Sequence, residues 1–170
     1  RVVVENIPPQ INQGTIFIKR VLDELVHVTA DVLVDGHDVI QSSVVFKHEK
    51  ERNWSETRMS HVDNDGWSAT FQVSKQGFYS YKVQGWVDYA LNWQYGIGRK
   101  IDDNQHVTSE LLEGIEYLKP LVKKASKNDA IYLKHLISIF DLEESYEEAI
   151  KEAIGDRLKG IFYSNPEKLL

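Results

Sequence analysis

Apolar and polar side chains trade places one by one through much of the first half of this chain. Val26, Val28, Ala30, Val32 and Val34 interleave with His27, Thr29, Asp31 and Leu33, the two-residue period of a strand buried on one face. Asp35-Gly36-His37-Asp38 supplies turn chemistry before the next apolar run, Val39 to Phe46. A second turn, Asp63-Asn64-Asp65-Gly66, leads into Trp67, Ala69, Phe71 and Val73 alternating with Ser68, Thr70 and Gln72. After Lys75-Gln76-Gly77, Tyr79, Tyr81, Val83 and Val87 share one side of a further strand. Short strands separated by turns, with no helix-period segment between them, predict an antiparallel, immunoglobulin-like β-sandwich over residues 1–98.

Beyond Trp93 the period lengthens. Val107, Leu111, Ile115, Leu118 and Val122 recur at helical spacing, with Asp102 to Asn104 as caps and Pro120 expected to kink or restart the helix. Ser126-Lys127-Asn128-Asp129 starts a second helix carrying Leu133, Leu136, Ile137 and Phe140, and Ser145 with Glu148 forms a capping box for a third. The third stripe runs from Tyr146 through Ile150, Ile154 and Leu158 to Phe162. The expected architecture is therefore α+β: the sandwich, then a three-helix bundle over residues 99–170, with Tyr95-Gly96-Ile97-Gly98 as the hinge.

Composition adds limits. At 42% hydrophobic and 27% charged, the chain is built to pack a core. It has no cysteine, which removes disulfides and thiolate chemistry and fits a reducing, cytoplasmic setting. Net charge is −6: residues 1–100 hold 11 basic and 12 acidic side chains, residues 101–170 hold 9 and 14. With no basic stripe, nucleic acid and anionic membranes are not expected partners, and no apolar run is long enough to span a bilayer. The start at Arg1-Val2-Val3-Val4-Glu5 has no signal-peptide layout and no initiator Met, so the chain reads as a piece of something longer.

Motifs for catalysis are missing. There is no Gly-x-Ser-x-Gly elbow or His-Glu-x-x-His, and Gly96-Ile97-Gly98 lacks the third glycine of a phosphate loop. His27, His37, His48 and His61 match no metal-ligand spacing. His37 is expected to serve the Asp35–Asp38 turn, a structural element. No catalytic residue, cofactor or metal ligand is expected. Trp67, Phe71, Tyr79 and Tyr81 belong to the core. Trp86 shares its strand face with Ser80, Lys82, Gln84 and Asp88. A Trp there needs a cover, and the bundle, a partner chain or a stacked sugar ring would each serve. Trp93 and Tyr95 extend the same patch toward the junction.

Several stretches occur in a familiar order: Arg1-Val2-Val3-Val4-Glu5-Asn6-Ile7-Pro8-Pro9, Ile18-Lys19-Arg20-Val21, and Ala30-Asp31-Val32-Leu33-Val34-Asp35-Gly36-His37-Asp38. Asn64-Asp65-Gly66-Trp67, Gly77-Phe78-Tyr79-Ser80-Tyr81-Lys82-Val83, Trp86-Val87-Asp88, Asn92-Trp93 and Glu110-Leu111-Leu112-Glu113-Gly114 continue it. Together they resemble the amino-terminal region of bacterial alpha-1,4-glucan:maltose-1-phosphate maltosyltransferases, of the alpha-amylase superfamily.

The resemblance implies a β-sandwich into which a helical bundle is inserted, preceding a catalytic barrel in the same polypeptide and helping to build a homodimer. It implies that the parent enzyme transfers maltosyl units from maltose 1-phosphate to an α-1,4-glucan, with retention through a carboxylate nucleophile. No catalytic acid of the barrel has a counterpart here, so the chain is expected not to be an enzyme on its own. In the family the chain returns from the bundle to add a strand to the sandwich, and Glu167-Lys168-Leu169-Leu170 would begin it. That returning strand is expected to be missing, leaving an open sheet edge. The functional expectation is an accessory and assembly domain that shapes the approach to the active site. The alternative is a carbohydrate-binding module stacking α-1,4-glucan on Trp86, Trp93 or Tyr95.

Overall fold

The computed structural model describes residues 2–5, 16–20 and 24–168, with the side chains of 16–20 left out. Of the stretches singled out above, Arg1, Asn6 to Pro9, Val21 and Leu169-Leu170 lie outside the described residues. The chain divides into two compact units, residues 1–87 with Lys168 onward, and Asp88–Glu167.

In the first unit, β1 (Val2–Glu5), β3 (Leu25–Val34), β7 (Gly66–Gln72) and β6 (Ser60–Asp63) form one sheet, in the order β1-β3-β7-β6. The strands β2 (Ile16–Arg20), β8 (Gly77–Val87), β4 (Ile40–His48) and β5 (Ser55–Arg58) form another, in the order β2-β8-β4-β5. Each described pairing is antiparallel. The alternation in the sequence explains why: Val26, Val28, Ala30 and Val32 of β3 and Trp67, Ala69 and Phe71 of β7 bury the same face. They share one core with Val44, Tyr79 and Tyr81 of the other sheet. Phe46 and Phe71, from opposite sheets, stack with centroids 4.0 Å apart, and Tyr81 meets Phe71 edge-on at 6.0 Å. Asn64 takes φ 39° in the expected Asp63–Gly66 turn, whose Asp65 carbonyl accepts from the Val32 amide at 2.9 Å.

The second unit contains five α-helices rather than the expected three: α1 (Tyr89–Asp102), α2 (Thr108–Lys124), α3 (Lys127–Phe140), α4 (Tyr146–Ala153) and α5 (Asp156–Ser164). The expected hinge Tyr95-Gly96-Ile97-Gly98 lies inside α1, whose start falls in the stretch read as sandwich. Asp88 makes that start, its Oδ1 accepting from the Leu91 amide at 3.0 Å. Burial of Leu91, Trp93 and Ile97 then outweighs the roughly 1 kcal/mol that each interior glycine costs a helix. Asp103 and Asn104 end α1 and do not cap α2, which begins after Val107 without a side-chain cap.

Helix α2 runs through Pro120. Pro120 is exposed, as is Glu116, whose carbonyl loses its helical donor and can be met by water. Ser126 caps α3 as expected, accepting from the Asp129 amide at 3.3 Å. Ser145 precedes α4 but makes no side-chain cap bond, so the capping box does not close. The long third stripe is broken at Ile154-Gly155 into α4 and α5. There the buried Gln94 amide donates to the carbonyls of Ala153 at 3.0 Å and Gly155 at 3.2 Å.

Candidate functional site

The three aromatic candidates fall into different surroundings. Trp86, on the β8 face away from the shared core, is fully buried. Within its own unit the Arg58 guanidinium lies 5.0 Å and the Lys168 ammonium 4.8 Å from its ring centroid. Lys168 also pairs with Glu56, and Arg58 Nη2 donates to Gln41 Oε1 at 3.2 Å. The indole N–H of Trp86 has no partner.

Trp93 is the aromatic centre of the helical unit. Its ring meets Tyr117, Phe140 and Phe162 at 6.3, 6.1 and 6.1 Å, and its Nε1 donates to the Glu110 carbonyl at 2.7 Å. Tyr95, two positions on along α1, points the other way and is 60% exposed, with Arg99 5.9 Å from its ring. A sugar would have to uncover Trp86 or Trp93 to stack on either. Within the helical unit, Trp93 and Tyr95 therefore do not share a face.

The turn Asp35-Gly36-His37-Asp38 is exposed throughout, and Gly36 holds the φ of +89° that reverses the chain there. Gly36 and Asp38 border an open groove of about 390 Å³ with His61, Asp65 and Trp67. The histidines of this half are spent separately. His27 Nδ1 meets Thr70 Oγ1 at 3.2 Å, and His61 Nε2 meets the Asn64 carbonyl at 2.6 Å. His48 Nδ1 accepts from the Lys50 amide at 3.1 Å, which leaves Nε2–H to donate to the Gln76 carbonyl at 2.9 Å. Among the described residues no three His, Asp or Glu side chains converge as metal ligands, and no helix is long and apolar enough to cross a membrane.

A different surface emerges between α1 and α2. Two adjoining depressions, of about 80 and 270 Å³, share Tyr89 and Tyr117 in their walls. Burial, then the neighbouring charge of Glu113, pushes the Tyr117 hydroxyl up from its ordinary value. At one rim Lys100 Nζ and Glu110 Oε1 pair at 2.7 Å, and this bond holds the Glu110 carboxyl below the usual range. Sequence reading missed this groove because it placed Tyr89 to Gly98 in the sandwich domain, with Tyr95 to Gly98 as its hinge. The signal was there in Asp88, a capping residue followed by Tyr89, Trp93 and Ile97 at four-residue steps.

A model of domain N/S of alpha-1,4-glucan:maltose-1-phosphate maltosyltransferase matches residues 1–170, the whole chain. The chain belongs to that maltosyltransferase family. A maltosyltransferase of Chlorobaculum tepidum is 32% identical over 170 residues, covering 100% of this chain and 25% of the relative. One of Salinibacter ruber is 35% identical over 161 residues, covering 93% and 24%. One of Myxococcus xanthus is 34% identical over 128 residues, covering 73% and 19%. The chain thus spans about a quarter or less of the length of these maltosyltransferases, and the resemblance read from the strand motifs is borne out.

Proposed function

We propose that this chain is the non-catalytic accessory and assembly part of a maltosyltransferase that extends α-1,4-glucan from maltose 1-phosphate. In this reading it belongs to the same polypeptide as a catalytic barrel, contributes to homodimerisation and shapes the approach to the active site. The observation that carries the reading is the match to domain N/S along the full chain, at about a quarter of the relatives' length. Two antiparallel sheets closing on one core support an immunoglobulin-like sandwich. Lys168, grouped with residues 1–87 after the helical unit, supports the helices as an insert within it. Among the described residues, Trp67, Phe71, Tyr79, Tyr81, Trp86, Trp93, Phe140 and Phe162 are spent on packing, which fits a scaffold.

The test has two arms. The 170-residue chain, incubated with maltose 1-phosphate and a maltooligosaccharide acceptor, is expected to release no phosphate, and release would overturn the non-catalytic reading. The complete polypeptide is expected to sediment as a dimer across its working concentrations. A monomer throughout would remove the assembly role.

A further inference from the structure

We propose that the groove between α1 and α2 binds a neutral, hydroxyl-rich oligosaccharide, its sugar rings laid against Tyr89 and Tyr117. Tyr89 is 51% exposed, and Tyr117 is half-buried with its ring 6.3 Å from that of Trp93, which fixes it from behind. The half-buried Tyr117 ring, backed by buried Trp93, is a firm platform for the apolar face of a pyranose, with exposed Tyr89 beside it. Around it stand groups that exchange hydrogen bonds with hydroxyls: Asn92, the Lys100–Glu110 pair and Glu113. With its hydroxyl held protonated by burial and by Glu113, Tyr117 serves as a donor.

The charge and the apolar lining narrow the ligand class. Asp88, Glu113, Glu116 and Glu167 outnumber Lys124 on the walls, and Lys100 is already paired, so a phosphate or polyanion meets excess negative charge. A docking peptide helix would need an aliphatic strip. The exposed aliphatics of the helical unit, Leu112, Ile131, Leu142 and Ile154, line neither depression. Together the two depressions only reach the lower end of the roughly 300–1,000 Å³ usual for ligand sites, which fits one or two sugar rings and millimolar affinity. This binding is independent of the assembly role, so either can fail alone.

The isotope-labelled chain titrated with maltoheptaose to about 10 mM tests it. Amide shifts are expected to concentrate on Tyr89, Asn92, Glu113 and Tyr117. Tyr89→Ala, at an exposed first-turn position, should weaken binding about tenfold, and Tyr117→Phe about threefold. Tyr95→Ala should leave it unchanged, and an unmoved Trp93 indole resonance would show that each variant is folded. No shifts, shifts that survive Tyr89→Ala in a folded variant, or displacement of the sugar by a Lys- and Arg-rich peptide would overturn the proposal.

Discussion

Gly114 of α2 lies flat against the indole of Trp93 in α1: a Cβ on Gly114 would fall 2.2 Å from Cζ2 of that ring. The same indole donates to the Glu110 carbonyl, one turn earlier in α2, at 2.7 Å. Ring and glycine therefore set how closely the two helices approach. Gly114→Ala should destabilise the helical unit by at least about 1–3 kcal/mol, since a ring packed among Tyr117, Phe140 and Phe162 has little room to retreat. Trp93→Phe should cost less at Gly114 but leave the part-buried carbonyl of Glu110 without its indole donor. Urea unfolding of both variants checks this, and a Gly114→Ala midpoint equal to the parent's would contradict it.

Gln94 ties the break between α4 and α5 to α1, its amide donating to two carbonyls while 8% exposed. Gln94→Leu keeps much of the side-chain volume but strips those carbonyls of their partner. A loss of about 1–3 kcal/mol is expected. Hydrogen exchange should show α5 opening more often than α2. Uniform protection across the helices would mean that the amide does not pin the break.

Reading the strands from sequence succeeded where one residue decides one face. Val26 to Val32, and Trp67 to Val73, are buried alternately because the pleat allows nothing else. The register also placed Trp86 off the core face, but its cover could not be read. Arg58 and Lys168 reach that ring from 28 residues before it and 82 after, separations that no local pattern encodes. Helix α1 was missed because Gly96 and Gly98 argue locally for a hinge, and tertiary burial of Leu91, Trp93 and Ile97 overrode them. The Asp88 cap and the four-residue steps after it could have revealed α1, but the Tyr89–Tyr117 groove exists only once α1 and α2 lie side by side.

Acid should weaken the two-sheet unit through Glu56. Burial pushes its carboxyl up, but the Lys168 hydrogen bond and the charges of Lys168 and Arg58 outweigh that, leaving it below its ordinary value. A depressed carboxylate stabilises the fold above its unfolded value of about 4.3, and that contribution is lost as pH falls through the folded value. The side chain is 36% exposed, so the effect is small. Glu56→Gln should be less stable than the parent near neutrality, with the gap closing below about pH 4. A gap independent of pH would show that charge is not its source.

Trp86 separates packing from assembly most sharply. Its ring is wholly buried, two cations lie near its face, and its N–H has no partner. Trp86→Phe keeps an aromatic face for Arg58 and Lys168 and removes the unpartnered donor but leaves a small cavity, so it should cost about 1–2 kcal/mol, less than the full truncation. Trp86→Ala opens a cavity and loses both cation contacts, and about 3–5 kcal/mol should disappear. Urea midpoints of the chain, read beside sedimentation of the complete enzyme, discriminate the roles. If Trp86→Ala left the midpoint in place yet dissociated the dimer proposed for the complete polypeptide, the residue would serve assembly and its burial within this chain would have no energetic weight. If both change together, loss of assembly follows from loss of the fold.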